Sequence, residues 1–156
     1  MKIGIVVYSW SGNTLSVGEK LAAELRANGH TAELVEVKVV GERAQGAREF
    51  ELDVPPDLAS FDGIVFGSAV EAFSLSPVMK AYLKKKVGPL AGKRVACLVT
   101  QQFQFPWRGG GNAIRQMRRL CLAKGAEIVG TAVVNWAKAR REKTTAVAIE
   151  KLKGCF

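Results

Sequence analysis

Short, nearly continuous apolar runs alternate along this chain with longer stretches of helical period, and few architectures accept that pattern. Ile3 to Tyr8, Phe61 to Ser68, Arg94 to Thr100 and Ala126 to Asn135 are rich in aliphatic and β-branched residues, as strands buried on both faces require. Thr31 to Val37 sets Ala32, Leu34 and Val35 among polar neighbours and reads as a more peripheral strand. Between these runs, Leu15 to Asn28 carries Val17, Leu21 and Leu25 at helical spacing and stops at Gly29, a natural left-handed cap. Ser76 and Pro77 supply the cap and first position of a helix over Val78 to Val87, closed by Gly88 and Pro89. Asn112 predicts the cap of a helix over Ala113 to Lys124 that Gly125 ends. Arg140 to Lys153 gives the last helix, with Thr145, Ala148, Ile149 and Leu152 on one side. Lys38 to Ser60 has no such period: Gly41, Gly46, Pro55 and Pro56 leave room for at most a short helix in a connecting segment.

This order predicts an α/β fold in which a parallel sheet lies between two helix layers, and five strands fit one doubly wound sheet. The 156 residues suffice for a single domain, residues 1–156, with its own core. No apolar run approaches the roughly 20 residues that span a bilayer, and Ile3 to Tyr8 is too short for the core of a signal peptide. The expectation is a soluble cytoplasmic protein with no membrane partner. Cys97, Cys121 and Cys155 form no CxxC pair and have no neighbouring histidine, so we expect reduced thiols, the first in the core and the last exposed, and no metal. In doubly wound sheets ligands gather beyond the carboxyl ends of the strands, where the strand order switches direction. Three loops leave those ends here: Ser9 to Thr14, Ser68 to Leu75, and Gln101 to Gly111.

The first loop, Ser-Trp-Ser-Gly-Asn-Thr, runs from a buried strand straight into a helix N-terminus, where unpaired N–H groups and the helix dipole favour an anion. Ser9, Ser11 and Thr14 add hydroxyls, Asn13 an amide, and Gly12 a backbone free to turn left-handed. An ordinary turn capped by Asn13 or Thr14 would explain any one of these residues, but the run as a whole exceeds what capping needs. There is no G-x-G-x-x-G for a dinucleotide and no G-x-x-x-x-G-K for a nucleoside triphosphate. The third loop interleaves Phe103, Phe105 and Trp107 with Gln101, Gln102 and Gln104 and ends in Gly109 to Gly111, a combination of flat apolar surface and edge donors that suits an isoalloxazine ring. A hydrophobic loop covering the end of the sheet would use the same aromatics.

The segment ending V-V-Y-S-W-S-G-N-T closely resembles the FMN phosphate loop of flavodoxins. The resemblance covers essentially the whole chain and implies a flavodoxin-like three-layer sandwich with a five-stranded parallel sheet in the order 2-1-3-4-5. It implies FMN as cofactor, bound at the switch point and held without lysine or arginine. By position, Ser9, Ser11, Asn13 and Thr14 become phosphate ligands, with Trp10 and Gly12 giving backbone N–H groups. Ser68, Ala69, Val70 and Phe73 of the second loop, and Thr100, Gln101, Gln102, Phe103, Phe105, Trp107, Gly109 and Gly110 of the third, complete the expected flavin site. Glu71 could approach the flavin edge, but a solvated loop carboxylate is its ordinary fate.

Two features depart from the flavodoxin pattern. A glycine in the second loop commonly lets a peptide rotate as the flavin gains one electron, and none lies between Gly67 and Gly88. Flavodoxins that shuttle electrons between proteins are typically acidic, whereas this chain has 23 Lys plus Arg against 14 Asp plus Glu, a formal +9. The basic residues sit in short clusters such as Lys84 to Lys86, which solvated helix faces explain; this argues against nucleic acid and for an anionic redox partner protein or small acceptor. The leading expectation is transfer of electrons through non-covalent FMN, with an NAD(P)H-dependent quinone or flavin reductase of the same fold as the alternative. The missing loop glycine leans toward the reductase. A homodimer stays open, because a second subunit could help to form a nicotinamide site. A non-redox anion-binding module comes last. No catalytic side chain is expected: His30 is far along the chain from every loop, and no nucleophile, base and orienting acid come together.

Overall fold

The protein is described here by a computed structural model covering residues 1–102 and 109–156. Its elements are β1 (Lys2–Tyr8), α1 (Asn13–Ala27), β2 (Thr31–Glu36), β3 (Gly63–Glu71), β4 (Ser74–Leu75), α2 (Pro77–Lys85), β5 (Arg94–Gln101), α3 (Gly110–Leu122), β6 (Glu127–Asn135) and α4 (Arg141–Lys153). The sheet order is β2-β1-β3-β5-β6, every pair parallel, with β4 added antiparallel to β3. The parallel core therefore has the expected order, and a two-residue strand in the middle loop raises the strand count to six among the described residues.

Period-two alternation assigns each side chain to one of two cores. Ile3, Ile5 and Val7 of β1, Val65 of β3 and Leu98 of β5 pack on Val17, Leu21 and Leu25 of α1 and on Ala148 and Leu152 of α4. Val6, Tyr8, Ile64, Phe66, Cys97 and Val99 face the other way, onto Met79 and Tyr82 of α2 and Met117 and Cys121 of α3. The apolar runs are continuous because both faces are covered.

Gly4 illustrates how tightly one face closes: a Cβ there would lie 2.6 Å from the Phe61 ring. Cys97 and Cys121 are buried and Cys155 is half-buried rather than exposed, all three free. A hydrogen bond with Cys121, and burial, push the Cys97 thiol well above its ordinary pKa, so it is an inert core group.

Between β2 and β3 the chain forms no helix; its only bridge pairs Val39 with Leu52, antiparallel. The segment is nevertheless anchored, since Val39, Phe50, Leu52 and Leu58 are partly buried against the α2–α3 face. No helix among the described residues is long and apolar enough to cross a membrane.

Candidate functional site

Strand register lines up the loops. Tyr8 pairs with Ser68, Ala69 with Thr100, and Gln101 with Asn135, so β1, β3 and β5 release their loops side by side at one edge of the sheet. The chain runs from β1 outward to β2, then returns past β1 to β3, which makes the β1/β3 junction the switch point.

At that junction α1 begins with Gly12 as its cap residue, at φ 91°, not with Asn13 or Thr14. No side chain caps this end and its first turn contains no acidic residue. The Gly12 carbonyl accepts the first helical bond from Ser16 N at 3.0 Å, so the amides of the turn before it have no partner within the helix. Ser11 and Gly12 are exposed and Asn13 is half-buried. Ser9 Oγ is fully buried and has no hydrogen-bond partner among the described residues, a cost of about 1–3 kcal/mol unless a ligand satisfies it. Thr14 differs from the expectation. It is 0% exposed, and its hydroxyl shares a 2.8 Å hydrogen bond with Thr100 Oγ1, so two residues expected to face the cofactor are joined to each other. Gly67 makes room for this, since a Cβ there would approach Thr14 Cγ2 to 3.3 Å and Val7 Cγ1 to 2.9 Å.

The middle loop is mostly strand. β3 continues to Glu71 and returns as β4, leaving a two-residue turn, Ala72 and Phe73, at φ 49° and 60°. A hairpin turn left-handed at both positions normally takes Asn-Gly, and Ala and Phe each incur about 1–2 kcal/mol there. The surroundings hold it. Asn112 Nδ2 donates to Phe73 O at 3.2 Å, and the Gln116 amide engages the Ser74 hydroxyl at 2.8 and 3.0 Å. Of the residues expected here, Ser68 is buried and spends its hydroxyl on Ala69 O at 2.9 Å, Ala69 and Val70 are half-buried, and Phe73 is 48% exposed.

In the third loop, Phe103, Phe105 and Trp107 lie outside the described residues. Gln101 is buried at the end of β5 and Gln102 is exposed. α3 starts at Gly110 with Gly109 as its cap, so Asn112 lies inside the first turn and its side chain serves the hairpin instead of the helix. Gly109 has φ 119°, and a Cβ there would come within 2.7 Å of Phe73 Cα. Loops two and three thus meet backbone to backbone, through a residue only glycine can occupy.

The residue that sequence reasoning missed is Arg43. Its guanidinium pairs with Glu71 at 3.0 Å, both side chains at most 2% exposed, and donates to the Tyr8 hydroxyl at 3.0 Å. Glu71 also accepts from Gly46 N at 2.7 Å and, through a short contact, from the Ser76 hydroxyl. The Arg43 carbonyl accepts from Trp10 Nε1 at 3.0 Å. Glu71 is therefore a buried ion-pair member, not a solvated carboxylate: strand pairing points it inward, and a positive charge from 28 residues away meets it. Burial pushes the Tyr8 phenol pKa up, and the adjacent Arg43 pulls part of that back. Burial acts to lower the Arg43 pKa, but hydrogen bonds to Glu71 and Tyr8 outweigh it and the net direction is up. A period-based reading had no signal for Arg43, which sits in an aperiodic segment.

These groups fit a flavin mononucleotide. A buried hydroxyl without a partner and an uncapped helix end, in a loop free of carboxylates, suit a phosphate. Trp10 and Phe73, both about half exposed, leave flat apolar surface on the first two loops. Comparison with known proteins agrees. Residues 1–141 match the model of the family described as NADPH-dependent FMN reductase. Oxidised flavodoxin 2 from Bacillus cereus is 24% identical with a TM-score of 0.68, 99% of each chain being covered. A flavoprotein from Lactobacillus acidophilus, solved in complex with FMN, is 23% identical with a TM-score of 0.62 over 85% of this chain and 92% of its own. An archaeal flavodoxin is 12% identical with a TM-score of 0.63, 99% of each chain covered. No curated protein sequence matches the chain. The loop chemistry, the switch-point geometry and the match across residues 1–141 lead to one assignment: the chain belongs to the NADPH-dependent FMN reductase family, a flavodoxin-fold oxidoreductase with FMN as its cofactor.

Proposed function

We propose that this protein is an NAD(P)H-dependent reductase that passes electrons through non-covalently bound FMN to a small, anionic acceptor. The observation that carries the reading is the Ala72–Phe73 turn, left-handed at both positions without a glycine and pinned by Asn112, Gln116 and Gly109. Rotating the peptide between Ala72 and Phe73 would relieve Phe73 but move Ala72 to a backbone geometry that favours glycine, against the Gly109 backbone packed on Phe73, so this turn is poorly suited to a conformational response to each single electron. A rigid wall suits transfer of electrons in pairs, as from a hydride donor.

When bound, FMN supplies the ring that accepts and releases electrons. The protein's part is binding and orientation. Ser9, Ser11 and Asn13, with the backbone amides at Trp10 and Gly12, would hold the phosphate. Phe73 would bound the ring, and Thr14 with Thr100 would fix the first loop against the third.

Flavin absorbance tests the proposal. NADPH added without oxygen to the FMN-loaded protein should bleach the flavin within seconds with no second protein present. A flavin that stays yellow with NADPH, yet bleaches when a separate reductase is added, would establish an electron carrier instead. The full-length similarity to flavodoxins favours that second reading.

A further inference from the structure

A cleft of about 610 Å³ lies between the Gly46–Leu52 segment, the β3–β4 hairpin and α2. It shares no residue with the Ser9–Thr14 loop. Its α2 wall is one helix face: Pro77, Lys80, Ala81, Lys84 and Lys85 follow the i, i+3, i+4, i+7, i+8 pattern, while Val78, Met79, Tyr82 and Leu83 turn into the core. Phe50, Leu52 and Leu75 add apolar surface, and Arg48 stands on the segment opposite.

The charges here are arranged at a cost. Lys80 and Lys84 are like charges at i, i+4, a spacing that destabilises a helix. Neither of them, nor Arg48, has an ion-pair partner among the described residues. The carboxylate of Glu71 in the cleft wall is already neutralised by Arg43, and the other lining carboxylate, Glu51, is outnumbered by Arg48, Lys80, Lys84, Lys85 and Lys86, so the cleft stays net positive. Lys80 is half-buried, which strengthens its attraction for an anion relative to a fully solvated lysine. The volume falls in the range of small-molecule sites, roughly 300–1,000 Å³, and the hollow is concave where a protein-docking face would be flatter.

We propose that this cleft binds a small organic dianion with an apolar body, its phosphate or carboxylate head held by Lys80, Lys84 and Arg48 and its body against Phe50, Leu52 and Pro77. The inference does not depend on the redox reading.

Calorimetric titration of the protein loaded with FMN and freed of excess cofactor, so that the flavin site is filled and no free FMN competes for the cleft, tests it with 1-naphthyl phosphate and 2,6-naphthalenedicarboxylate. At least one should bind, and which of them binds tells a phosphate head from a carboxylate one. Inorganic phosphate and 1-naphthol, each carrying half of the chemistry, should bind at least about 10-fold more weakly. The double variant Lys80→Gln/Lys84→Gln should lose about 10-fold in affinity for the tighter probe while its FMN titration and circular dichroism stay unchanged. The proposal is overturned if neither naphthalene dianion binds, if inorganic phosphate binds as tightly as they do, or if the double variant binds them undiminished. Displacement of the probe by polyglutamate at lower concentration would also overturn it, assigning the surface to an acidic protein. Loss of cleft binding would leave NADPH bleaching untouched as a separate result, so the two proposals fail independently.

Discussion

Two helices start at the same edge of the sheet and are finished in opposite ways. α2 begins with Ser76, whose hydroxyl accepts from Val78 N at 3.3 Å, followed by Pro77, which has no N–H to satisfy. α1 begins with Gly12, which offers no side chain, and its first turn contains neither a cap nor an acid. One N-terminus is complete within the protein. The other has no side-chain cap among the described residues. Between them stands the Arg43–Glu71 pair, which touches both: Glu71 accepts from the Ser76 hydroxyl, and the Arg43 carbonyl accepts from the Trp10 indole.

The largest way to break this contrast is to remove its bridge. Arg43→Met leaves Glu71 charged and buried, and we expect a loss of about 3–5 kcal/mol in the denaturant midpoint analysis. Adding Glu71→Gln to that variant should recover much of the loss, because the stranded charge is gone. A single variant as stable as the parent would mean that the pair is not buried in solution.

The open helix start gives a prediction of two signs. Ser9→Ala removes an unsatisfied buried hydroxyl, so the FMN-free protein should gain about 1 kcal/mol while FMN binding weakens by about 1.5–3 kcal/mol, roughly 10- to 100-fold. Riboflavin, lacking the phosphate, should bind the two proteins alike. Equal losses for FMN and riboflavin would remove Ser9 from the phosphate site.

The closed helix start gives the smallest effect on the cofactor. Ser76→Ala removes both the cap of α2 and a hydrogen bond to the buried Glu71 carboxylate, and should cost about 2–3 kcal/mol of stability while leaving FMN affinity as it was. Together the two serine variants ask whether one end serves the fold and the other the ligand.

The fold was legible because its information is local and repeated. Strands covered on both faces leave uninterrupted apolar runs, and Ser9 to Thr14 is a contiguous segment whose donors need no distant residue to be recognised. What escaped is held by pairing across the chain. Glu71 reads as a loop carboxylate until β3 extends through it and turns it toward Arg43, itself in a segment without period. The bond that joins the Thr14 hydroxyl to Thr100 likewise has no signal in the local sequence. Asn112 reads as a cap because Gly109 offers no side-chain signal for the earlier start; the close approach of the Phe73 backbone explains the glycine.

The bond between Thr14 and Thr100 also bears on when the protein matures. The two hydroxyls are 86 residues apart, so the first loop cannot settle until most of the chain has left the ribosome. A nascent protein halted before β5 would carry the Ser9 to Thr14 loop with one of its fixed points still unsynthesised, so the loop reaches the geometry described above only after translation has passed Thr100.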